Sequence, residues 1–347
     1  MSTTMFGICK ETEGNGAIYK EDLHSPSIGE RDILVRVRAA SICGTDLHIL
    51  EWTPYAQNRC KLPMVFGHEM AGDVVEVGAA VTEVCVGDRV ACETHIPCNH
   101  CHQCQTNNRH ICENMKIIGV HSPGAFAEYI SFPVDCAYRI SDNISYETGA
   151  MLEPMGVAAH GIEVANVQGK IIAIYGCGAI GLMAIGIAHT YCAKKIFAMD
   201  IFDAKLDAAL EMGADVTINV KTKKAKEEVL AETQGIGVDA VIDFTGSQNA
   251  INDGFSLLKK GGVFVMVGLP ETDLILPATD SIIYKEATVI GVTGRRMYET
   301  WDQCETVLSS PRYNIQRTIG GIYPLKDFEK AFDAIRSGVP GKMILIP

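Results

Sequence analysis

Four cysteines lie close together: Cys98, Cys101, Cys104 and Cys112. Intervals of two, two and seven residues suit a tetrahedral zinc, and four thiolates close the coordination sphere with no place left for chemistry. The set therefore reads as a structural metal. An iron–sulfur cluster uses similar spacing, but nothing else in the chain suggests electron transfer. His100, His102 and His110 share this lobe and read as solvated loop histidines.

A second constellation has a different character. Cys43-Gly44-Thr45-Asp46-Leu47-His48 is followed by Gly67-His68-Glu69 and later by Glu153-Pro154. A cysteine, a histidine and a carboxylate form a borderline-soft donor set suited to zinc. Three protein ligands leave room for a substrate oxygen, where the metal acts as a Lewis acid on an alcohol. Thr45 can take the hydroxyl proton and hand it to His48, which titrates near neutral pH and exchanges with water.

The third feature is Gly176-Cys177-Gly178-Ala179-Ile180-Gly181. A GxGxxG is weak evidence alone, but this one follows an apolar strand and opens an amphipathic helix. Gly176 makes the turn, Gly178 admits a pyrophosphate, and Gly181 lets helix and strand pack closely. The free N–H groups of the helix N-terminus then face the phosphates. Asp200 ends the next strand, 24 residues on. Its carboxylate can accept from both ribose hydroxyls and repels a 2′-phosphate, which favours NAD over NADP.

Two textures position these groups. From Ile33 to about Arg139 short alternating strands are punctuated by Gly, Pro and Asp, as in an irregular antiparallel barrel or sandwich. From about Gly169 to Val292 strands alternate with helices. Strands are expected at 170–175, 195–200, 215–220, 238–243, 262–267 and 288–292. Helices are expected at 179–191, 204–212, 224–233 and 248–260. Six strands so joined predict a doubly wound parallel sheet. The remainder, with a helix at 325–337 and a strand at 342–346, is too short for a domain and should return to the first one.

The whole composition limits the possibilities. The chain has 347 residues, enough for two domains, with 47% hydrophobic and 21% charged residues, which is ordinary for a globular protein. A net charge of −12 repels phosphate, so neither nucleic acid nor an anionic membrane is an expected partner. No apolar run reaches the roughly 20 residues that span a bilayer. Thirteen cysteines, an odd number, with no visible signal peptide predict a reducing, cytoplasmic setting and no disulfides. Five serve the two metal sites, and Cys177 lies in the fingerprint.

These motifs, in this order, resemble the zinc-containing medium-chain dehydrogenase/reductase superfamily. The likeness covers nearly the whole chain. It implies an α/β protein: a GroES-like β-rich catalytic domain, discontinuous over residues 1–154 and 295–347, and a Rossmann NAD-binding domain over 155–294. A finer similarity, to threonine-oxidising members, is carried by residues 40–48, 65–69, 93–98, 294–301 and 332–338. The resemblance implies NAD-linked oxidation of a secondary alcohol, L-threonine first and a polyol, sugar or diol second. A non-enzymatic NAD-binding relative would lack the catalytic zinc ligands that this chain keeps.

The resemblance also implies roles. Cys43, His68 and Glu69 would bind catalytic zinc, with Thr45 and His48 as the relay. Glu153 would sit beside the metal, in the relay or as an alternating ligand. Cys98, Cys101, Cys104 and Cys112 would bind a second, structural zinc. Gly176, Gly178, Ile180, Gly181, Asp200 and Lys205 would contact NAD, with Val267, Gly268, Leu269, Val292 and Thr293 on the nicotinamide side. Lys205 stands where an Arg is expected, and Thr293 where an aromatic is. The loop 50–60 is less like the family than its flanks. His95 would line the substrate pocket. An amino-acid substrate needs partners for both its charges, and His95, Glu153 and Arg295 are the candidates. The resemblance implies a homotetramer, with the sheet edge near 288–293 as a seam.

Overall fold

The strand Asp32–Ser41 shows why the first third of the chain is β-rich. Ile33, Leu34, Val35, Val37, Ala39 and Ala40 are buried while Arg36 and Arg38 face outward, a near-regular alternation. In the computed structural model, which describes residues 4–270 and 272–347, this strand is central to a seven-stranded sheet. It pairs antiparallel with Glu69–Val77, Tyr129–Pro133 and the C-terminal Lys342–Ile346. Ser41 is thereby opposite Glu69 on one side and Ile344 on the other. The C-terminal strand is extended in turn by Ile319–Pro324, which runs parallel to it and had no clear sequence signature.

The second unit is a six-stranded sheet in the order Val216–Asn219, Lys195–Asp200, Ile171–Tyr175, Val238–Asp243, Leu258–Met266, Thr288–Gly291. Every pairing in it is parallel. Its central strands are buried on both faces. Ile172 and Ile174 join one core with the helices Leu152–Ala165 and Ala179–Thr190, while Ala173 and Tyr175 join another on the opposite face. Parallel strands covered on both sides need near-continuous apolar runs, and IIAIY is one. This is the expected Rossmann sheet beside the GroES-like unit.

The helix expected at 248–260 ends earlier, at Leu257, and the next strand starts at Leu258 rather than 262. The periodicity continues through Lys259 and Lys260, but Gly261, at φ +71°, turns the chain. A register shift absorbs the excess, because Val238 pairs with Leu258 while Ala240 pairs with Val263. Helix 152–165 was hidden in the sequence by Pro154, a usual breaker, which here sits in the first turn where no intrahelical N–H bond is lost. Helices at 44–51 and 299–308 were likewise unanticipated. The expected C-terminal helix is a 3₁₀ turn at 325–327 followed by Phe328–Arg336. Among the described residues no helix is long and apolar enough to cross a membrane.

The fingerprint turn is tight. Gly176 has φ +89°, and a Cβ on Gly181 would lie 1.8 Å from the Gly176 carbonyl oxygen. The obstructing carbonyl is backbone, so strand and helix must part. Gly181→Ala should cost about 1–3 kcal/mol, as overpacking does. A lower urea midpoint at unchanged slope would show it, and an unchanged midpoint would mean that the turn relaxes freely.

Candidate functional site

Cys43 caps the helix Gly44–Glu51, and its backbone N–H donates to Asp46 Oδ2 at 2.8 Å. Glu69 opens the neighbouring strand and His68 immediately precedes it. Ligand atoms of Cys43, His68 and Glu69 all lie within 4.8 Å of one another. Behind His68 stands Asp46, with Oδ1 3.4 Å from the ring Nδ1 in an ion-pair contact, and neither buried atom has a hydrogen-bond partner. A histidine backed in this way by a carboxylate presents its other nitrogen to a metal. Burial opposes a positive charge on His68, but Asp46 and Cys43 outweigh it and hold its pKa well above the ordinary value. That pull on a proton is one that a metal cation would also feel, so the donor set fits zinc.

Glu69 is fully buried. Lys342 Nζ bonds both of its oxygens at 2.6 Å, and Ser41 Oγ donates to Oε2. Burial and nearby Glu153 favour the neutral carboxyl of Glu69, whereas Lys342 favours the carboxylate. The ion pair leaves neither buried group without a partner, and the same contact keeps Lys342 charged against its own burial.

Thr45 and His48 lie three residues apart and share a helix face, without a direct hydrogen bond. His48 is exposed, with Nδ1 3.2 Å from Thr53 Oγ1.

The four cysteines of the lobe also converge within 4.8 Å. Backbone N–H groups point at their sulfurs: Cys98 N–H to Cys112 Sγ at 3.2 Å, Cys101 N–H to Cys98 Sγ at 3.4 Å and Asn114 N–H to Cys112 Sγ at 3.3 Å. Such donors, that of His100 foremost, hold the Cys98 thiol down at about 6. Burial and the neighbouring sulfurs push Cys104 up to about 12. Four thiols so close cannot all ionise without a cation among them, which again fits zinc. His100 and His102 are exposed. His110 differs from expectation: it is half-buried, its ring 5.5 Å from that of His160, and burial pushes its pKa down to about 4.

Gly176, Gly178, Ile180, Gly181 and Lys205 line a cleft together with Cys43, Gly44 and Lys342. Cys43 of the first metal constellation thus shares a cavity with the fingerprint. Asp200 accepts from the backbone N–H groups of Cys177 at 2.8 Å, Ile201 at 2.7 Å and Phe202 at 3.1 Å. Lys205 lies over the Phe202 ring. Gly268 packs on the Gly246 backbone, where a Cβ would meet the nitrogen at 2.2 Å. Val267 touches Gly161, Leu269 and Thr293 are exposed, and Val292 is buried.

No motif marks the network behind the site. Arg295, 1% exposed, bonds Glu153 Oε1 through Nη1 at 2.8 Å and Glu93 through Nη2. Trp301 Nε1 donates to Glu93 Oε2 at 2.9 Å, and the His95 N–H to Oε1 at 2.9 Å. His95 Nδ1 is 3.2 Å from the same oxygen. Arg295 and Glu153, considered above for a substrate's charges, are therefore committed to each other. Glu93, Asp46 and Lys342 had no role in the sequence reading. Glu93 and Asp46 stood inside informative stretches, but only their partners distinguish them.

Comparison with known proteins agrees with this arrangement. The alcohol dehydrogenase GroES-like domain matches residues 29–142, and the zinc-binding dehydrogenase domain matches residues 179–310. L-threonine 3-dehydrogenase of Bacillus velezensis is 41% identical over 348 residues, with all of both chains covered. The enzyme of that name from Pyrococcus horikoshii is 36% identical, covering 100% of this chain and 99% of its own. Among solved structures, a zinc-binding dehydrogenase of Sinorhizobium meliloti bound to NADP superposes with a TM-score of 0.90 at 29% identity, with both chains fully covered. The 2R,3R-butanediol dehydrogenase of Bacillus subtilis gives 0.89 at 26%, with 99% of each chain covered.

Removing the guanidinium tests the network. Arg295→Met leaves two buried carboxylates uncompensated and should cost about 3–5 kcal/mol. In the wild type, burial raises the pKa of Glu93 but Arg295 and His95 lower it further, to below its ordinary value. Its contribution is therefore complete above about pH 4.3 and is lost as pH falls through the depressed value. Without Arg295 burial dominates, the pKa rises, and protonation becomes stabilising. The gap in melting temperature between wild type and variant should thus narrow from pH 7 to pH 5 by calorimetry. A constant gap would mean that the carboxylates are not the source of the loss.

Proposed function

The chain belongs to the zinc-binding alcohol dehydrogenase family, and from that premise we propose that it oxidises the secondary alcohol of L-threonine to 2-amino-3-oxobutanoate, with NAD as hydride acceptor. The observation that carries this reading is the single cleft lined by Cys43 and the fingerprint glycines. It brings Cys43, one of the candidate metal ligands, and a dinucleotide turn to one cavity. The relatives named for threonine oxidation, similar over their full length, support the substrate.

Cys43, His68 and Glu69 would hold one zinc, and Cys98, Cys101, Cys104 and Cys112 the other. When bound, the catalytic zinc supplies Lewis acidity at the substrate hydroxyl and the nicotinamide supplies the hydride acceptor. The remaining work belongs to side chains. Asp46 fixes the tautomer of His68 through Nδ1. Thr45 takes the hydroxyl proton as its own moves on toward His48, which stands exposed on the same helix face and exchanges a proton with water. Lys342 holds Glu69 beside Cys43, and Arg295 holds Glu153 behind it. Asp200, anchored by three backbone donors, meets the ribose, with Ile180 and Lys205 nearby. Val267, Gly268, Leu269, Val292 and Thr293 flank the nicotinamide, and His95 lines the substrate side.

We divide the chain as 1–154 with 295–347 for the catalytic unit and 155–294 for the dinucleotide unit. The assembly proposed is a homotetramer. The open edge at Thr288–Gly291, with exposed Val289, supports a sheet-to-sheet seam there, which sedimentation velocity would test. The thirteen cysteines favour a cytoplasmic setting.

Cys43→Ser should abolish turnover, keep NAD binding, and lower the zinc content from two per chain to one. Loss of the fold instead would make Cys43 structural. A substrate panel followed by NADH absorbance decides the rest. L-threonine should be oxidised, and turnover of polyols or 2,3-butanediol without L-threonine would overturn the substrate.

A further inference from the structure

An α-amino acid brings a carboxylate to the cleft, and the cations near the candidate metal ligands are mostly engaged, with Lys205 set apart at the fingerprint over the Phe202 ring. Arg295 is buried between Glu93 and Glu153, and Lys342 is bound to Glu69. His95 faces Glu93. Arg59 is different. It is exposed, and among the described residues no carboxylate pairs with its guanidinium. It follows the short helix Pro54–Gln57, and its backbone N–H donates to the Ala56 carbonyl at 3.0 Å. The guanidinium carbon lies 4.4 Å from the centroid of the Tyr55 ring, a stacked cation–π geometry that leaves its donor edge free.

Tyr55 links this cation to the candidate metal centre. Its ring is half-buried and 5.7 Å from that of His48, the outer member of the relay. It lies within electrostatic range of Arg59 and also of His68 and Cys43. The charges acting on nearby His121 are Arg59 and Lys116, both cations. In a chain of net charge −12, this rim is locally positive. An arginine left unpaired there meets the two-oxygen geometry of a carboxylate.

We propose that Arg59, stacked on Tyr55, binds the carboxylate of the substrate whose hydroxyl lies at Cys43, His68 and Glu69, and so selects hydroxy amino acids over neutral alcohols. This rests on the reading of L-threonine as substrate. Full-length, zinc-loaded wild type, Arg59→Ala and Arg59→Gln are compared with NAD on L-threonine and on L-threonine amide, which lacks the carboxylate.

Both variants should raise KM for L-threonine by about 10- to 100-fold, the loss expected for a charged hydrogen-bonded pair. KM for NAD and the melting temperature should not move. The preference for L-threonine over its amide should collapse in both variants. An unchanged preference, with the wild type active on L-threonine, overturns the role of Arg59 alone. A wild type inactive on L-threonine but active on 2,3-butanediol overturns the substrate reading and this assignment with it.

Discussion

One buried guanidinium ties the molecule together. Glu93 belongs to the β-rich unit, Glu153 to the helix that leads into the dinucleotide unit, and Arg295 to the segment that leaves it. All three meet where water is excluded, so none can lose its partner without leaving a bare charge inside. The surroundings are shaped for this meeting. Gly156 has no side chain where Arg295 crosses the helix, since a Cβ there would lie 3.0 Å from the arginine stem. Trp301 covers the site and donates to Glu93. Replacing such a network by apolar groups often costs nothing in stability. Its consequence is therefore best read as positional: it fixes Glu153, His95 and the start of the C-terminal segment relative to one another.

The same compensation recurs around the candidate metal centre, with partners drawn from ever farther along the chain. Asp46 and His68 come from adjacent segments. Glu69 takes its cation from Lys342, 273 residues away. That distance gives the C-terminal return a physical purpose. The strand Lys342–Ile346 pairs with Asp32–Ser41, which in turn pairs with Glu69–Val77, so the ladder carries Lys342 to the carboxylate. Without that strand Glu69 would be a buried anion with only Ser41 to support it. Cleft lining and charge balance thus depend on one strand, since Gly341, Lys342 and Met343 also face the fingerprint glycines.

What the sequence made legible follows the range of the interactions. The fingerprint is a strand, a turn and a helix in one short span, and both the positive φ of Gly176 and the close approach at Gly181 arise within it. The cysteine lobe is equally local. The ligand types Cys43, His68 and Glu69 were readable because few other tasks call for that set, although only the fold brings 43 to 68. Glu93 and Lys342 were illegible for the opposite reason. Each looks like any surface charge until its partner arrives from 202 or 273 residues away. Helix 152–165 was concealed by a proline whose effect depends on its place in the first turn. Arg295 was misjudged because residue type announces a charge and says nothing of its burial.

That misjudgement separates two uses of the same side chain. An arginine enclosed by two carboxylates has spent its field before any ligand arrives, and its value lies in holding geometry. An arginine that is to bind an incoming anion must be left unpaired, and in water an unpaired guanidinium has little cost. It then needs some other restraint, since a freely rotating side chain gives up rotamer entropy on binding. Stacking on an aromatic ring is such a restraint, because it orients the planar group without occupying its N–H donors. Arg295 meets the first description and Arg59 the second. In an acidic chain with thirty basic residues, the absence of an acid partner on Arg59 tells more about ligand binding than the presence of a charge.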